Sequence, residues 1–128
     1  MDIWERIEKI IDENGFIIDR PAGKNHPKYQ NMVYPLDYGY ISDTDSQDGN
    51  CIDLWKGKAE NIGVTAIGVT VDSVKNDSEI KVFYNCDDED MEIVHEFMNC
   101  DCMSMLIIKR YANAKKYEKK TIVKDLKE

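Results

Sequence analysis

The residues of this sequence best placed to do chemistry lie between Asp19 and Asp53, where acidic, basic and phenolic side chains gather in segments that read as short strands and loops. Such a gathering serves a site more often than the same residues spread over a solvated helix face. Its densest part is Asp48-Gly49-Asn50-Cys51-Ile52-Asp53, which sets three oxygen-bearing side chains in a tight turn leading into a strand. Carboxylate, amide and water oxygens suit a hard cation, Mg²⁺ or Mn²⁺. The same D-G-N turn is also what an ordinary hairpin loop uses, so the surroundings must decide.

The elements around the cluster follow from periodicity. Ile3, Trp4, Ile7, Ile10 and Ile11 recur at helical spacing, Asp2 and Glu5 form a capping box, and Asn14-Gly15 supplies the stop, which predicts a helix over 1–14. A β-rich run from Gly15 to Arg20 ends at Pro21, a polar loop spans Ala22 to Lys28, and Met32 to Ile41 reads as extended. Asp43 to Asn50 is a loop by composition, with a strand after it at Ile52, Leu54 and Trp55. Ile62 to Val74 and Ile80 to Tyr84 should form an antiparallel hairpin across the Lys75–Ser78 turn. Met91, Val94, Phe97 and Met98 mark a second helix over 87–99, whose acidic start suits the helix dipole; His95 on it reads as structural or surface. A closing strand over 103–111 and a Lys-rich tail over 112–128 complete a single domain, with the barrel and site over 15–85. Strands interrupted by isolated helices, without β-α-β alternation, predict an α+β, mainly β architecture: a small antiparallel barrel or strongly bent sheet with both helices outside.

The whole chain narrows the partners. At 128 residues it suits one domain, and 25 acidic against 17 basic residues give a formal net charge of −8. That charge opposes nucleic acid and anionic membrane surfaces as partners, and a site that handles phosphate in such a chain needs cations. No run is long and apolar enough to span a membrane, and the acidic N-terminal segment does not resemble a signal peptide. Cys51, Cys86, Cys100 and Cys102 include no C-x-x-C pair and read as reduced thiols, in keeping with a cytoplasmic protein.

Upstream of the turn stands Tyr34-Pro35-Leu36-Asp37-Tyr38-Gly39-Tyr40-Ile41. With the Asp48–Asp53 turn behind it, the sequence resembles the soluble inorganic pyrophosphatases (family I), in particular their compact forms, whose signature is a YP-x-x-YGYI segment followed by D-G-D-x-x-D. Asp19-Arg20-Pro21-Ala22 and Pro27-Lys28-Tyr29 are similar to that family's E-I-P-A and K-Y-E segments, and Gly68-Val69 to the start of its central hairpin. The resemblance implies an OB-like barrel and hydrolysis of pyrophosphate by metal-activated water. It implies Asp48, Asn50, Asp53 and Tyr38 at catalytic positions, Lys28, Tyr34 and Lys81 on the phosphates, and Asp48, Asp53, Glu79 and Asp19 on Mg²⁺ or Mn²⁺. It is compatible with a homo-oligomer.

Several positions depart from the family pattern. Asn50 stands where the family has an aspartate, and an amide cannot accept a proton at neutral pH. Gln30 replaces a glutamate, Val74 falls near a metal aspartate, the arginine-bearing strand before the YP segment is missing, and the second helix lacks a Tyr-Lys pair. Arg20, Lys24 and His26 are additions near the expected phosphate pocket, each expected at the surface before a ligand role. Tyr40 reads as core packing. Three functions therefore compete: a pyrophosphatase, a hydrolase of another small phosphoanhydride, and a non-catalytic phosphate- or nucleotide-binding module.

Overall fold

A computed structural model describes residues 1–110; the expected Lys-rich tail lies outside the described residues. Helix α1 (Ile3–Asn14) carries both halves of its capping box, since Asp2 accepts from the Glu5 N–H and Glu5 accepts from the Asp2 N–H. The chain then runs through β1 (Phe16–Arg20), β2 (Asp37–Ile41), β3 (Asp53–Lys56), β4 (Val64–Asp72), β5 (Asp77–Tyr84), α2 (Asp88–Met98) and β6 (Met103–Lys109). Helix α2 is also boxed, by Asp87 and Asp90. The stretch expected to be extended from Met32 is strand only from Asp37. Residues 21–36 fold instead as a loop, pinned by the Asn25–Val33 bridge.

The six strands form one sheet in the order β1-β2-β3-β5-β4-β6. The mainly-β architecture with two external helices is the expected one, with two refinements. The sheet is not fully closed, because β1 and β6 stand at opposite ends of the order. One pair is also parallel, since β4 takes the β5 edge away from β3 and β5 must return alongside β3 in the same direction. That parallel pair is where the candidate site forms.

Alternation along the strands divides the core in two. Leu54 and Val82 point to the face covered by α1, where they meet Ile11, Ile41 and Val64. Their neighbours Trp55 and Phe83 point to the opposite face, where Met91, Val94 and Met98 of α2 cover them together with Tyr34, Leu36 and Met105. Trp55 Nε1 is the one buried side-chain polar atom without a hydrogen-bond partner among the described residues. The four cysteines are free, and burial pushes the Cys86 thiol up to about 12, which leaves it inert at neutral pH.

Gly39 holds the β1–β2 approach. A Cβ there would sit 1.8 Å from the Ile17 carbonyl oxygen and 2.8 Å from Ile18 Cα, both backbone atoms with nowhere to move. Gly39→Ala should therefore cost at least about 2 kcal/mol, measured as a lower urea midpoint with an unchanged slope. An unperturbed midpoint would show that β1 is not held against β2 as described.

Candidate functional site

Lys81 is the anchor. It lies on β5 directly across from Asp53 in the parallel β3–β5 register, and only 4% of it is exposed. Its ammonium donates to Asp53 Oδ2 at 2.7 Å, to Tyr38 Oη at 2.8 Å and to Glu79 Oε2 at 3.3 Å. Glu79 reaches it by lying two residues away on the same strand face, and Tyr38 by lying on β2, one strand beyond β3. Three donors meet three acceptors, so the ammonium is saturated.

The electrostatics follow from that packing. Burial alone would lower the Lys81 pKa, but its contacts with Tyr38 and Asp53 together raise it well above its ordinary 10.5. Burial raises the Tyr38 phenol above its ordinary 10.0 against the pull of Lys81, and Asp53 adds to the rise by charge and hydrogen bond. Tyr38 thus keeps its proton. Its oxygen accepts from Lys81 while its O–H remains a donor.

The Asp48 loop packs beside this cluster. Asp48 Oδ1 accepts from Ser46 Oγ at 2.5 Å and from the Asn50 N–H at 3.0 Å, while the Asn50 side-chain amide donates to Oδ2 at 3.3 Å. Gly49 turns the loop at φ +84. Asp48 also shares a hydrogen bond with Glu79, and the two pKa values move apart. The Ser46, Glu79 and Asn50 hydrogen bonds hold Asp48 well below the ordinary carboxylate range, whereas burial and then the Asp48 contact raise Glu79. An open cleft of ≈ 500 Å³, lined by Gln47, Asp48, Val71, Asn76, Asp77 and Ser78, reaches Asp48.

A second arm runs from Tyr38 toward the β1 edge. Tyr34, 5% exposed, packs 5.4 Å from Tyr38 between ring centroids, and its hydroxyl accepts from Arg20 Nη1 at 2.5 Å. A bulge between Ile18 and Arg20 sets this up, because it places Arg20, rather than Asp19, opposite Tyr38. Arg20 was expected at the surface, and it is instead half-buried against two tyrosines.

The structure thus brings together Tyr38, Asp53, Glu79 and Lys81, with Asp48 joined through Glu79 and Tyr34 through the Tyr38 ring. Asn50 touches only the Asp48 side of this group. Asp19 and Lys28 are exposed, and no hydrogen bond or ion pair joins either to Lys81 among the described residues. Asp72 is spent on its own turn, where it accepts the Val74 and Lys75 N–H groups. Among the described residues no three acidic, histidine or cysteine side chains converge as a metal cage. The Asp48–Glu79 pair nevertheless fits a divalent cation. Two carboxyl groups in contact can share a cation between them, and Mg²⁺ is commonly held by one or two carboxylates with water and substrate phosphates completing its shell.

No protein-family model and no curated protein sequence matches the chain. Solved structures do. An inorganic pyrophosphatase from Neisseria gonorrhoeae superposes with a TM-score of 0.54 at 14% identity, covering 72% of this chain and 80% of that one. The chain has a pyrophosphatase-like fold. A second inorganic pyrophosphatase, from Coxiella burnetii, gives 0.50 at 14% identity, covering 73% and 82%. No described helix is long and apolar enough to cross a membrane.

The cluster makes stability depend on alkaline pH in a defined sense. Native Lys81 and Tyr38 both keep protons that the unfolded chain releases near 10.5 and 10.0. Their contribution is complete below pH 10 and is lost as the pH rises past it. Urea midpoints of the metal-free protein between about pH 8 and pH 11 should fall more steeply for wild type than for the Tyr38→Phe/Lys81→Met double variant. Equal slopes would place the cluster's protonation outside the folding equilibrium.

Proposed function

We propose that this chain is a cytoplasmic hydrolase of inorganic pyrophosphate or another small phosphoanhydride, working with Mg²⁺ or Mn²⁺. The observation that carries this is the buried Lys81 ammonium, bridged by Asp53, Glu79 and Tyr38 beside the Asp48–Glu79 pair. The pyrophosphatase-like fold supports the same reading.

The residues divide the work by charge. Asp48 and Glu79, with Asp53 nearby, would hold the cation, which when bound neutralises anhydride oxygens and acidifies a water. Lys81 offers a fixed positive charge to a phosphoryl oxygen. Tyr38, kept neutral, donates its O–H to the same group. Asp53, which opens β3 and already accepts from Lys81, is the carboxylate available to take the proton of an attacking water as the bond to the departing phosphate breaks.

One observation favours a weaker reading, a phosphate-binding module with little turnover. Asn50 uses its amide to donate to Asp48 and has no carboxylate with which to activate water. Phosphate release over pyrophosphate, tripolyphosphate and nucleotides separates the two. The hydrolase reading expects release with added Mg²⁺ or Mn²⁺, none in EDTA, and at least about a hundredfold loss in both Asp53→Asn and Lys81→Met. Release that survives EDTA, or variants at wild-type rate, would remove it.

Asn50→Asp gives an independent check. A carboxylate beside Asp48 and Glu79 adds negative charge where a cation would sit, so metal affinity and turnover should rise by roughly tenfold or more. A rate at or below wild type at matched free Mg²⁺ would mean the site is built around another acid.

A further inference from the structure

Arg20 is a cation that the hydrolase reading above leaves unused. In a chain with 25 acidic residues and a net charge of −8, a half-buried guanidinium is normally matched by a carboxylate. Among the described residues Arg20 makes no ion pair, and its one side-chain hydrogen bond goes to the neutral hydroxyl of Tyr34. Lys81, by contrast, is met by two carboxylates. The two cations share a ring: the Arg20 guanidinium carbon lies 5.9 Å from the Tyr38 centroid and Lys81 Nζ lies 5.3 Å from it.

The one carboxylate that acts on Arg20 is its exposed chain neighbour Asp19, which makes no ion pair with it. His26 stacks on Tyr34 at 6.0 Å, and its Nδ1 accepts the backbone N–H groups of Lys28 and Tyr29, which fixes the ring as a neutral acceptor. Slight burial, followed by the charges of Arg20 and Lys28, holds its pKa below the ordinary value. Arg20 is also held in place. The Tyr34 ring is locked in the core, and its backbone is tied to Gly23 and Lys24 across the loop, so the guanidinium is oriented by a group that does not neutralise it. A planar fork with N–H groups to spare, fixed in place without a paired carboxylate, matches a phosphoryl group bidentately.

We infer that Arg20 is a second phosphoryl subsite, so that the ligand is a phosphoanhydride whose two phosphoryl groups are divided between Lys81 and Arg20 across the Tyr38 ring. Tyr34 acts as the positioning residue. The subsite deepens the hydrolase reading and rests on its Lys81 site, but it makes a claim about binding that needs no turnover.

The test is calorimetry with methylenediphosphonate, which cannot be hydrolysed at its bridge, and with inorganic phosphate, both at fixed Mg²⁺. Arg20→Met should weaken diphosphonate binding about tenfold to a hundredfold and phosphate binding much less. Arg20→Lys should recover little, because a point charge does not reproduce the fork. Tyr34→Phe, which keeps the ring, should weaken diphosphonate by a smaller factor at unchanged urea midpoint, and in turnover should raise KM more than it lowers kcat. A loss of packing alone would weaken both ligands equally and would overturn the proposal, as would wild-type affinity in Arg20→Met or no diphosphonate binding by wild type at about 10 mM. Hydrolysis is scored separately. Turnover in wild type with an indifferent Arg20→Met variant sinks the subsite and spares the hydrolase, whereas Arg20-dependent binding without phosphate release from any anhydride sinks the hydrolase and spares the subsite.

Discussion

An ammonium buried inside a sheet has to be neutralised where it stands, and the Lys81–Asp53 contact does this between two neighbouring strands. The desolvation cost of each ion is several kcal/mol. It is tolerable here because every N–H of Lys81 has an acceptor and because Asp53 and Glu79 keep part of their surface in water. A saturated pair of this kind is poor evidence for stability, since well-packed apolar groups would do as well. Its presence in the middle of a sheet otherwise built from Trp55, Phe83, Val82 and Leu54 points to use.

Much of the structure can be traced from that contact. The parallel β3–β5 register puts Asp53 opposite Lys81, and it exists because β4 inserts on the far side of β5. Gly39 lets β1 approach β2 closely, which brings Tyr38 and, through the bulge, Arg20 to one side. The Asp48 loop enters through Glu79, itself set by being two residues from Lys81. Helix α2 supplies the apolar floor on which Trp55 and Tyr34 rest.

The elements were legible in the sequence wherever a period or a cap was present. The α1 capping box, the β4–β5 hairpin and α2 fall within a few residues of expectation, because periodicity and N-terminal acids are local signals. Asp53, Tyr38, Glu79 and Lys81 were singled out together, and the sheet brings them into one hydrogen-bonded group. What escaped was register. A one-residue bulge exchanges Asp19 for Arg20 opposite Tyr38, and no local pattern in Phe16–Arg20 announces it. The parallel pair escaped for a related reason, since strand order is a long-range property. At 14% identity to solved pyrophosphatases, the YGYI and D-G-x-x-x-D segments were legible by eye while the chain as a whole matched no family profile.

The central claim is that the Lys81 cluster receives a phosphoryl group and is not a structural ion pair. The most direct measurement is the nitrogen resonance of the Lys81 ammonium, which its burial should keep visible by slowing proton exchange, followed as a non-hydrolysable diphosphonate is added with and without Mg²⁺. A phosphate-receiving ammonium exchanges a carboxylate partner for a phosphoryl oxygen, and its resonance should shift in a saturable way that Mg²⁺ strengthens. A Lys81 resonance that stays fixed while the ligand binds elsewhere, or through millimolar additions without binding, would contradict the account.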